Sequence, residues 1–187
     1  MHCTSSDIAV YSTFPPYSQN IHSFAITAHL CQGAPGNWSS CDCHTGCQIN
    51  AYAWDETHLS YGPGVNFTIN TLMPFNVTLR FPVDADTGFL TAIENIWSQD
   101  GRSFTARLTE EYCDETRPSF GPYLEQFTAQ LAGGMTLVSS YWGNQGMDWL
   151  DSEPNGPCDP EAICTDPSGN LPATVAVSGI RLAALES

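Results

Sequence analysis

The sequence has no lysine, and five arginines are its only strongly basic side chains, against 20 aspartates and glutamates. The formal net charge at pH 7 is −15. A surface of this sign repels phosphate groups, which argues against nucleic acid and against anionic membranes as partners. Neutral polymers such as glycans remain open as partners.

Apolar runs of membrane-spanning length are absent, and so is an export signal. The residues after Met1 have neither the basic nor the apolar region of a signal peptide. Eight cysteines and three Asn-x-Ser/Thr sequons nevertheless indicate an oxidising, extracellular compartment. We therefore expect a secreted protein and a chain that is truncated at its start. The predicted glycosylation sites are Asn37, Asn66 and Asn76.

Most of the secondary-structure signals in the sequence are those of short strands. Phe75–Phe81 alternates apolar and polar side chains, which predicts a half-buried strand with Asn76 facing outward. Asp100-Gly101 is a favoured two-residue turn and predicts a hairpin between Ile93–Ser98 and Arg102–Leu108. Further strands are predicted at Ser23–His29, Val65–Asn70, Met135–Val138 and Thr174–Leu182.

Helical periodicity is convincing in one segment only. In Tyr123–Leu131 the apolar residues recur at helical spacing, and Gly133 is placed to end the helix. Residues 1–19 show neither helical nor strand periodicity. Short strands, frequent turn signals and little helix predict an all-β fold, an antiparallel β-sandwich with one short helix. At 187 residues the chain is long enough for one domain.

The segment Gly133–Ser152 has the most informative motif, a strand followed by two tryptophans. Gly134-Met135-x-Leu137-Val138 with Trp142, then Met147-x-Trp149-Leu150-Asp151-Ser152, resembles a signature of the family 7 glycoside hydrolases, the fungal cellobiohydrolases and endoglucanases. Other segments resemble family motifs in the same chain order: Asn20–Cys31, Asn50-Ala51-Tyr52, Ser60–Gly64, Asp100-Gly101 and Tyr112-Cys113. The resemblance runs over residues 20–187, as the C-terminal part of a catalytic domain, and leaves residues 1–19 unmatched.

This resemblance implies a concanavalin-like jelly roll, incomplete in this chain, that acts on β-1,4-glucan. It implies no cofactor and no metal, and we expect a monomer. Only nine residues separate Cys31 from Cys41, where cellobiohydrolases have a longer loop that helps to cover a tunnel. A short loop leaves the groove open to the middle of a polymer, so the endoglucanase branch is favoured.

The catalytic acids of the family are not matched in this chain. Retaining glycosidases need two carboxyl groups about 5–5.5 Å apart, and the family takes them from Glu-x-Asp-x-x-Glu, just before the segment that begins at Asn20. The positions of this motif fall on Thr13, Pro15 and Ser18 without gaps, or on Ser5, Asp7 and Val10 with a gap. Neither alignment supplies the two glutamates. We therefore assign no catalytic residue and expect this chain to be inactive alone.

Two residues are implied as substrate contacts by the resemblance. His29 is at the position of an active-site histidine, and Trp142 is at that of a tryptophan that stacks on a glucosyl unit. The alternative interpretations are a hydrogen-bonded loop histidine and core packing of the indole. Two other functions also stay open, a catalytically inactive β-glucan-binding module and a small cysteine-rich structural or zinc protein.

The zinc alternative comes from Cys41-x-Cys43-His44-x-x-Cys47, because clustered cysteine and histidine can bind zinc tetrahedrally. The resemblance implies disulfides instead, Cys31–Cys41 and Cys47–Cys113. The partners of four cysteines remain unassigned: Cys3, Cys43, Cys158 and Cys164. Asp84-x-Asp86-x-Gly88 begins like a calcium loop but lacks the later bidentate glutamate, so we interpret it as a solvated turn.

Overall fold

The computed structural model describes residues 10–13, 24–34, 37–41, 46–116, 122–135 and 176–178. For residues 10–13, 31–34, 37–41, 115–116 and 176–178 it describes the backbone only. Several residues singled out above lie outside the described ranges: Cys3, Cys43, His44, Trp142, Trp149, Cys158 and Cys164. The strand predicted at Met135–Val138 falls outside them after Met135.

The described elements are mostly short strands, with two helices. The strands are β1 Val10–Thr13, β2 Ala25–Ala28, β3 Cys31–Ala34, β4 Asn37–Cys41, β5 Cys47–Asn50, β6 Tyr61–Gly62, β7 Ile69–Asn70, β8 Phe75–Arg80, β9 Ile93–Gln99, β10 Arg102–Leu108 and β11 Ala176–Ser178. The helices are α1 Glu110–Thr116 and α2 Tyr123–Gly133. Neither helix is long and apolar enough to cross a membrane.

The largest sheet has five antiparallel strands in the order β10-β9-β8-β1-β11. The predicted strand at Phe75 and the predicted hairpin are both present in it. At the hairpin turn, Asp100 has φ 49° and Gly101 has φ 76°. This left-handed backbone matches the twist of the flanking strands, and Asp-Gly adopts it readily.

Strand β1 lies within residues 1–19, for which the absence of any periodicity predicted neither a strand nor a helix. Its four residues pair with β8 on one side and with β11 on the other. Val-Tyr-Ser-Thr has a favourable β composition, but four residues are too few to give a recognisable period. The strand predicted at Val65–Asn70 is also shorter than expected. Only Ile69–Asn70 is extended there, and it pairs with β6 in parallel.

The core lies on one face of this sheet and is rich in aromatic rings. Phe24 contacts Tyr61, Phe75 and Trp97, with ring centroids 6.1–6.2 Å apart. Trp97 is buried and stacks on Phe104 of the neighbouring strand at 4.8 Å. Aromatic pairs of this kind add stability beyond the apolar area that they bury. The alternation predicted for β8 therefore directs Phe75 and Val77 into this core.

Two helices are present where one was predicted. The predicted helix is α2, and it ends at Gly133, two residues later than expected, because Gly134 rather than Gly133 is the positive-φ residue, at φ 91°, that follows the last turn. Helix α1 was missed because its sequence, Glu-Glu-Tyr-Cys-Asp-Glu-Thr, has no apolar periodicity. Thr109 caps α1 by accepting a hydrogen bond from the Tyr112 amide at 3.3 Å.

Candidate functional site

His29 lies just after β2, where that strand meets β5. It is half-buried, between the buried residues Ala28 and Leu30. Ala28 is opposite Cys47 in the β2–β5 pair. We call Thr27, Ala28, His29, Gly46 and Cys47 together the histidine corner.

Gly46 leaves the space that the His29 side chain occupies. A Cβ atom at residue 46 would lie 2.9 Å from His29 Cε1, 2.6 Å from the Ala28 carbonyl oxygen and 2.4 Å from Thr27 Cγ2. The φ of Gly46 is also positive, at 41°. Both the close packing and the backbone conformation therefore require glycine at this position.

Tyr123, the first residue of α2, joins the two strands of the histidine corner. Its buried hydroxyl donates a hydrogen bond to the Ala28 carbonyl at 2.6 Å and accepts one from the Cys47 amide at 3.1 Å. Ala28 directly precedes His29 in the sequence, and Cys47 directly follows Gly46. Tyr123 therefore adds a link from α2 to the end of the β2–β5 pair, next to the imidazole.

Strand β5 is also held to α1. The disulfide Cys47–Cys113 implied by the resemblance is present, with the two Cα atoms 5.4 Å apart. The Tyr112 hydroxyl donates to the Gln48 carbonyl at 3.0 Å. Because Cys47 is oxidised, it is not a thiolate ligand, and the proposed zinc set loses one member. Within the described ranges no group of three or more His, Cys, Asp or Glu side chains could hold a metal ion.

Glu110, the first residue of α1, caps the N-terminus of the neighbouring helix α2. Its carboxylate accepts hydrogen bonds from the Tyr123 amide and, at 2.8 Å, from the Leu124 amide. Pro122, the residue that precedes α2, provides no side-chain cap. Burial raises the pKa of Glu110, the two amide hydrogen bonds oppose the rise, and the nearby Asp114 adds to it. The net pKa of Glu110 is above its ordinary value.

A raised carboxyl pKa beside a second acid is also a property of catalytic acids. Its raised pKa alone would therefore make Glu110 a candidate proton donor. Both oxygens of Glu110, however, already accept amide hydrogen bonds that hold α2. A structural role explains its position and its environment together.

Other acids in the described part of the chain are likewise engaged with neighbouring groups. Partial burial raises the pKa of Asp55, but the hydrogen bonds it accepts from Ser60 and Thr57 together outweigh the burial, and the net pKa is lowered. Asp84 accepts hydrogen bonds from the Asp86 and Thr87 amides at 3.1 and 2.8 Å, within its own turn. Glu94 forms ion pairs with Arg107 at 3.3 Å and Arg80 at 3.8 Å.

The face of the large sheet opposite the core is mainly polar. Thr78, Ile96 and Thr105 form one row across β8, β9 and β10, and Arg80, Glu94 and Arg107 form another. Tyr11 of β1 is opposite Asn76, and Thr13 is two residues further along the same strand. Thr13, a position of the catalytic motif in the ungapped alignment, therefore lies in a strand that pairs with β8 and β11.

The remaining predicted sites have different environments. Asn66 is exposed on the turn before β7, whereas Asn76 is half-buried and its Oδ1 atom is buried. Asn37 begins β4, and Cys31 is opposite Cys41 in the β3–β4 pair. Trp142 lies outside the described residues, so its role as a substrate contact stays a prediction. Sequence reasoning missed Tyr123, Glu110 and Gly46, because their roles depend on partners distant in sequence or on a local φ.

Comparison with known families gives one extended match. The model of Glycosyl hydrolase family 7 matches residues 5–179. The match begins before Asn20, the boundary expected from the motifs, and it includes β1. This agrees with the position of β1 inside the large sheet.

Similar curated proteins are fungal endoglucanases. Endo-beta-1,4-glucanase celB of Emericella nidulans is 35% identical over 142 residues, which cover 68% of this chain and 33% of that protein. Endoglucanase 1 of Humicola insolens is 32% identical over 149 residues, covering 70% of this chain and 36% of that protein. The chain thus spans about a third of the length of these relatives.

Similar solved structures include an endocellulase and an endoglucanase. The native Humicola insolens endocellulase EGI has a TM-score of 0.59 and 28% identity, over 74% of this chain and 41% of that one. An endoglucanase I complexed with cellobiose has a TM-score of 0.63 and 24% identity, over 80% and 43% of the two chains. The fold is accordingly the antiparallel jelly-roll β-sandwich predicted from the sequence.

Proposed function

Because this chain belongs to glycosyl hydrolase family 7, we propose that it forms part of a groove that binds β-1,4-glucan, of the endoglucanase type. The observation that carries the proposal is the match to two proteins named as endoglucanases, at 35% and 32% identity. The β3–β4 hairpin, in which Cys31 is opposite Cys41, keeps the intervening segment short and supports an open groove. His29 and Trp142 are the proposed sugar contacts.

We further infer that this chain binds glucan without hydrolysing it. Retaining hydrolysis needs one carboxylic acid to protonate the leaving oxygen and one carboxylate to attack the anomeric carbon. Neither alignment of the catalytic motif supplies this pair. Glu110, the described acid whose environment most resembles that of a proton donor, is engaged at the start of α2.

Two assays of the purified 187-residue chain test these statements. Affinity electrophoresis in hydroxyethyl cellulose measures binding to an uncharged β-1,4-glucan, which avoids repulsion from a protein of net charge −15. Reducing-end release from the same polymer measures hydrolysis. We expect retardation in the gel and no release of reducing ends.

Replacement of His29 by alanine tests its role in binding. Loss of one sugar hydrogen bond corresponds to roughly fivefold to tenfold weaker binding. The matched control is His58→Ala, which removes an exposed imidazole that stacks on Tyr52 at 4.7 Å. Equal effects of the two substitutions would contradict the assignment of His29. Glucan hydrolysis that disappears when an acid of this chain is replaced would contradict the proposed inactivity.

We also propose that the protein is secreted, glycosylated and monomeric. The Cys47–Cys113 disulfide supports an oxidising compartment. Asn66 is more accessible for glycosylation than Asn76, because Asn66 is exposed whereas Asn76 is half-buried on the central strand β8. The test is expression in a fungal host. We expect the protein in the culture medium, a mass that decreases when N-glycans are removed enzymatically, and elution as a monomer in size-exclusion chromatography.

A further inference from the structure

We propose that Tyr123 is a positioning residue for His29, acting through the backbone of Ala28 and Cys47. The consequence for glucan binding rests on the proposed function, in which His29 contacts the sugar. The positioning itself is a statement about contacts within this chain and has its own measurement.

The Tyr123 hydroxyl is the group that bridges the two strands at the histidine corner. Ala28 and Cys47 are direct partners in the β2–β5 pair. The hydroxyl donates a hydrogen bond to the Ala28 carbonyl of β2 at 2.6 Å and accepts one from the Cys47 amide of β5 at 3.1 Å. The hydroxyl and its two partners are buried. If the hydroxyl is removed, the Ala28 carbonyl and the Cys47 amide each lose a hydrogen-bond partner in a place where water does not readily replace it.

The packing around His29 makes its position sensitive to this bridge. His29 follows Ala28 directly, and the His29 ring approaches residue 46 so closely that no Cβ is accommodated there. A small change in the spacing of β2 and β5 therefore changes the gap between the imidazole and Gly46. At its other end, Tyr123 is held by Glu110, which accepts a hydrogen bond from the Tyr123 amide. The phenol is thus a rigid link from the start of α2 to the histidine corner.

The chain contains a matched control in Tyr112. Its hydroxyl also donates to a backbone carbonyl of β5, that of Gln48, at 3.0 Å. Gln48 is next to Cys47 in sequence, but this hydrogen bond involves neither the Ala28 carbonyl nor the Cys47 amide. Tyr112→Phe and Tyr123→Phe therefore each remove a hydroxyl that bonds β5, and the Tyr123 hydroxyl in addition bonds Ala28 of β2 at the histidine corner.

The experiment compares these two variants with the unaltered 187-residue chain. Three quantities are measured: the NMR resonances and pH titration of the His29 imidazole, the hydrogen-exchange rate of the Cys47 amide, and the Kd for cellotetraose. For Tyr123→Phe we expect shifted His29 resonances, Cys47 exchange faster by about tenfold or more, and about tenfold weaker binding, the loss corresponding to one hydrogen bond. For Tyr112→Phe we expect all three to stay at the values of the unaltered chain, even where its melting temperature falls.

Unchanged His29 resonances in folded Tyr123→Phe, or equal shifts in both variants, would overturn the proposal. If Tyr123→Phe does not fold, hydrogen exchange of the Cys47 amide in the unaltered chain tests the bridge instead. A Cys47 amide that exchanges as slowly as that of the buried Ile49 supports the bridge, and one that exchanges like an exposed amide overturns it. If the His29 resonances move but no chain binds cellotetraose, the positioning role stands and the proposed function fails.

Discussion

Gly46 shows how a single residue determines where a functional side chain can lie. Among the described glycines with positive φ, Gly46 combines that backbone with close contacts, whereas Gly88, at φ 71°, has nothing within 4 Å of its Cβ position. An alanine at Gly88 therefore meets the backbone cost alone. An alanine at Gly46 meets that cost and also a carbonyl oxygen 2.6 Å away, which is part of the Ala28 backbone and has little freedom to move.

We predict that Gly46→Ala destabilises the protein by about 2–4 kcal/mol, and Gly88→Ala by about 1–2 kcal/mol. The difference between them is the cost of displacing Ala28 and His29. Urea unfolding measures both free energies, provided that the slope with urea is the same in each variant. Equal losses at the two positions would mean that the histidine corner relaxes around a methyl group without cost.

At the scale of elements, the junction of α1 and α2 introduces a dependence on pH. Glu110 has a pKa above its ordinary value of 4.5 in the folded chain. The folded state therefore binds this proton more tightly than the unfolded state does, and unfolding releases it. The corresponding stability is fully present below the unfolded pKa and is lost as the pH rises through the folded pKa. The lowered pKa of Asp55 acts in the opposite direction, and in a lower window, below about 3.8.

We predict that Glu110→Gln flattens the decrease in melting temperature as the pH rises above 4.5. The groups that face Glu110 are Asp114 on its own helix and the Tyr123 and Leu124 amides on α2. Glu111→Gln is the control, because Glu111 is exposed on the same helix. The same slope in Glu110→Gln and in the unaltered chain would show that Glu110 does not contribute to this dependence.

The elements that the sequence predicted well are those with local causes. The Asp100-Gly101 turn, the alternation in β8 and the apolar spacing of α2 each depend on residues within one segment. Strand β1 is defined by its pairing with β8 and β11, 60 or more residues away in sequence, and α1 by its disulfide and by its contact with α2. For the same reason the motifs identified His29 as a candidate, but not the Tyr123 hydroxyl, which is 95 residues from Ala28.

For the molecule as a whole, one covalent link connects a strand to a helix, which no sheet pairing joins. Cys47–Cys113 spans 66 residues and ties the histidine corner to α1. Cys31 and Cys41 are opposite each other in one hairpin, and their disulfide remains a prediction. On the chain-entropy model, the cost of closing a loop in the unfolded chain rises with the logarithm of its length. The long link is therefore expected to stabilise the fold more than the short one.

We predict that replacing Cys47 and Cys113 together by serine lowers the free energy of unfolding by about 4 kcal/mol, and replacing Cys31 and Cys41 by about 3 kcal/mol. The larger loss is a substantial part of the roughly 5–15 kcal/mol by which domains are stable. Urea unfolding of both double variants measures the two losses, and peptide mapping without reduction checks the pairs beforehand. A map that joins Cys47 to another cysteine would contradict the covalent link to α1. A smaller loss for Cys47 and Cys113 than for the hairpin pair would mean that α1 and β5 stay together through Tyr112, Tyr123 and Glu110 without the disulfide.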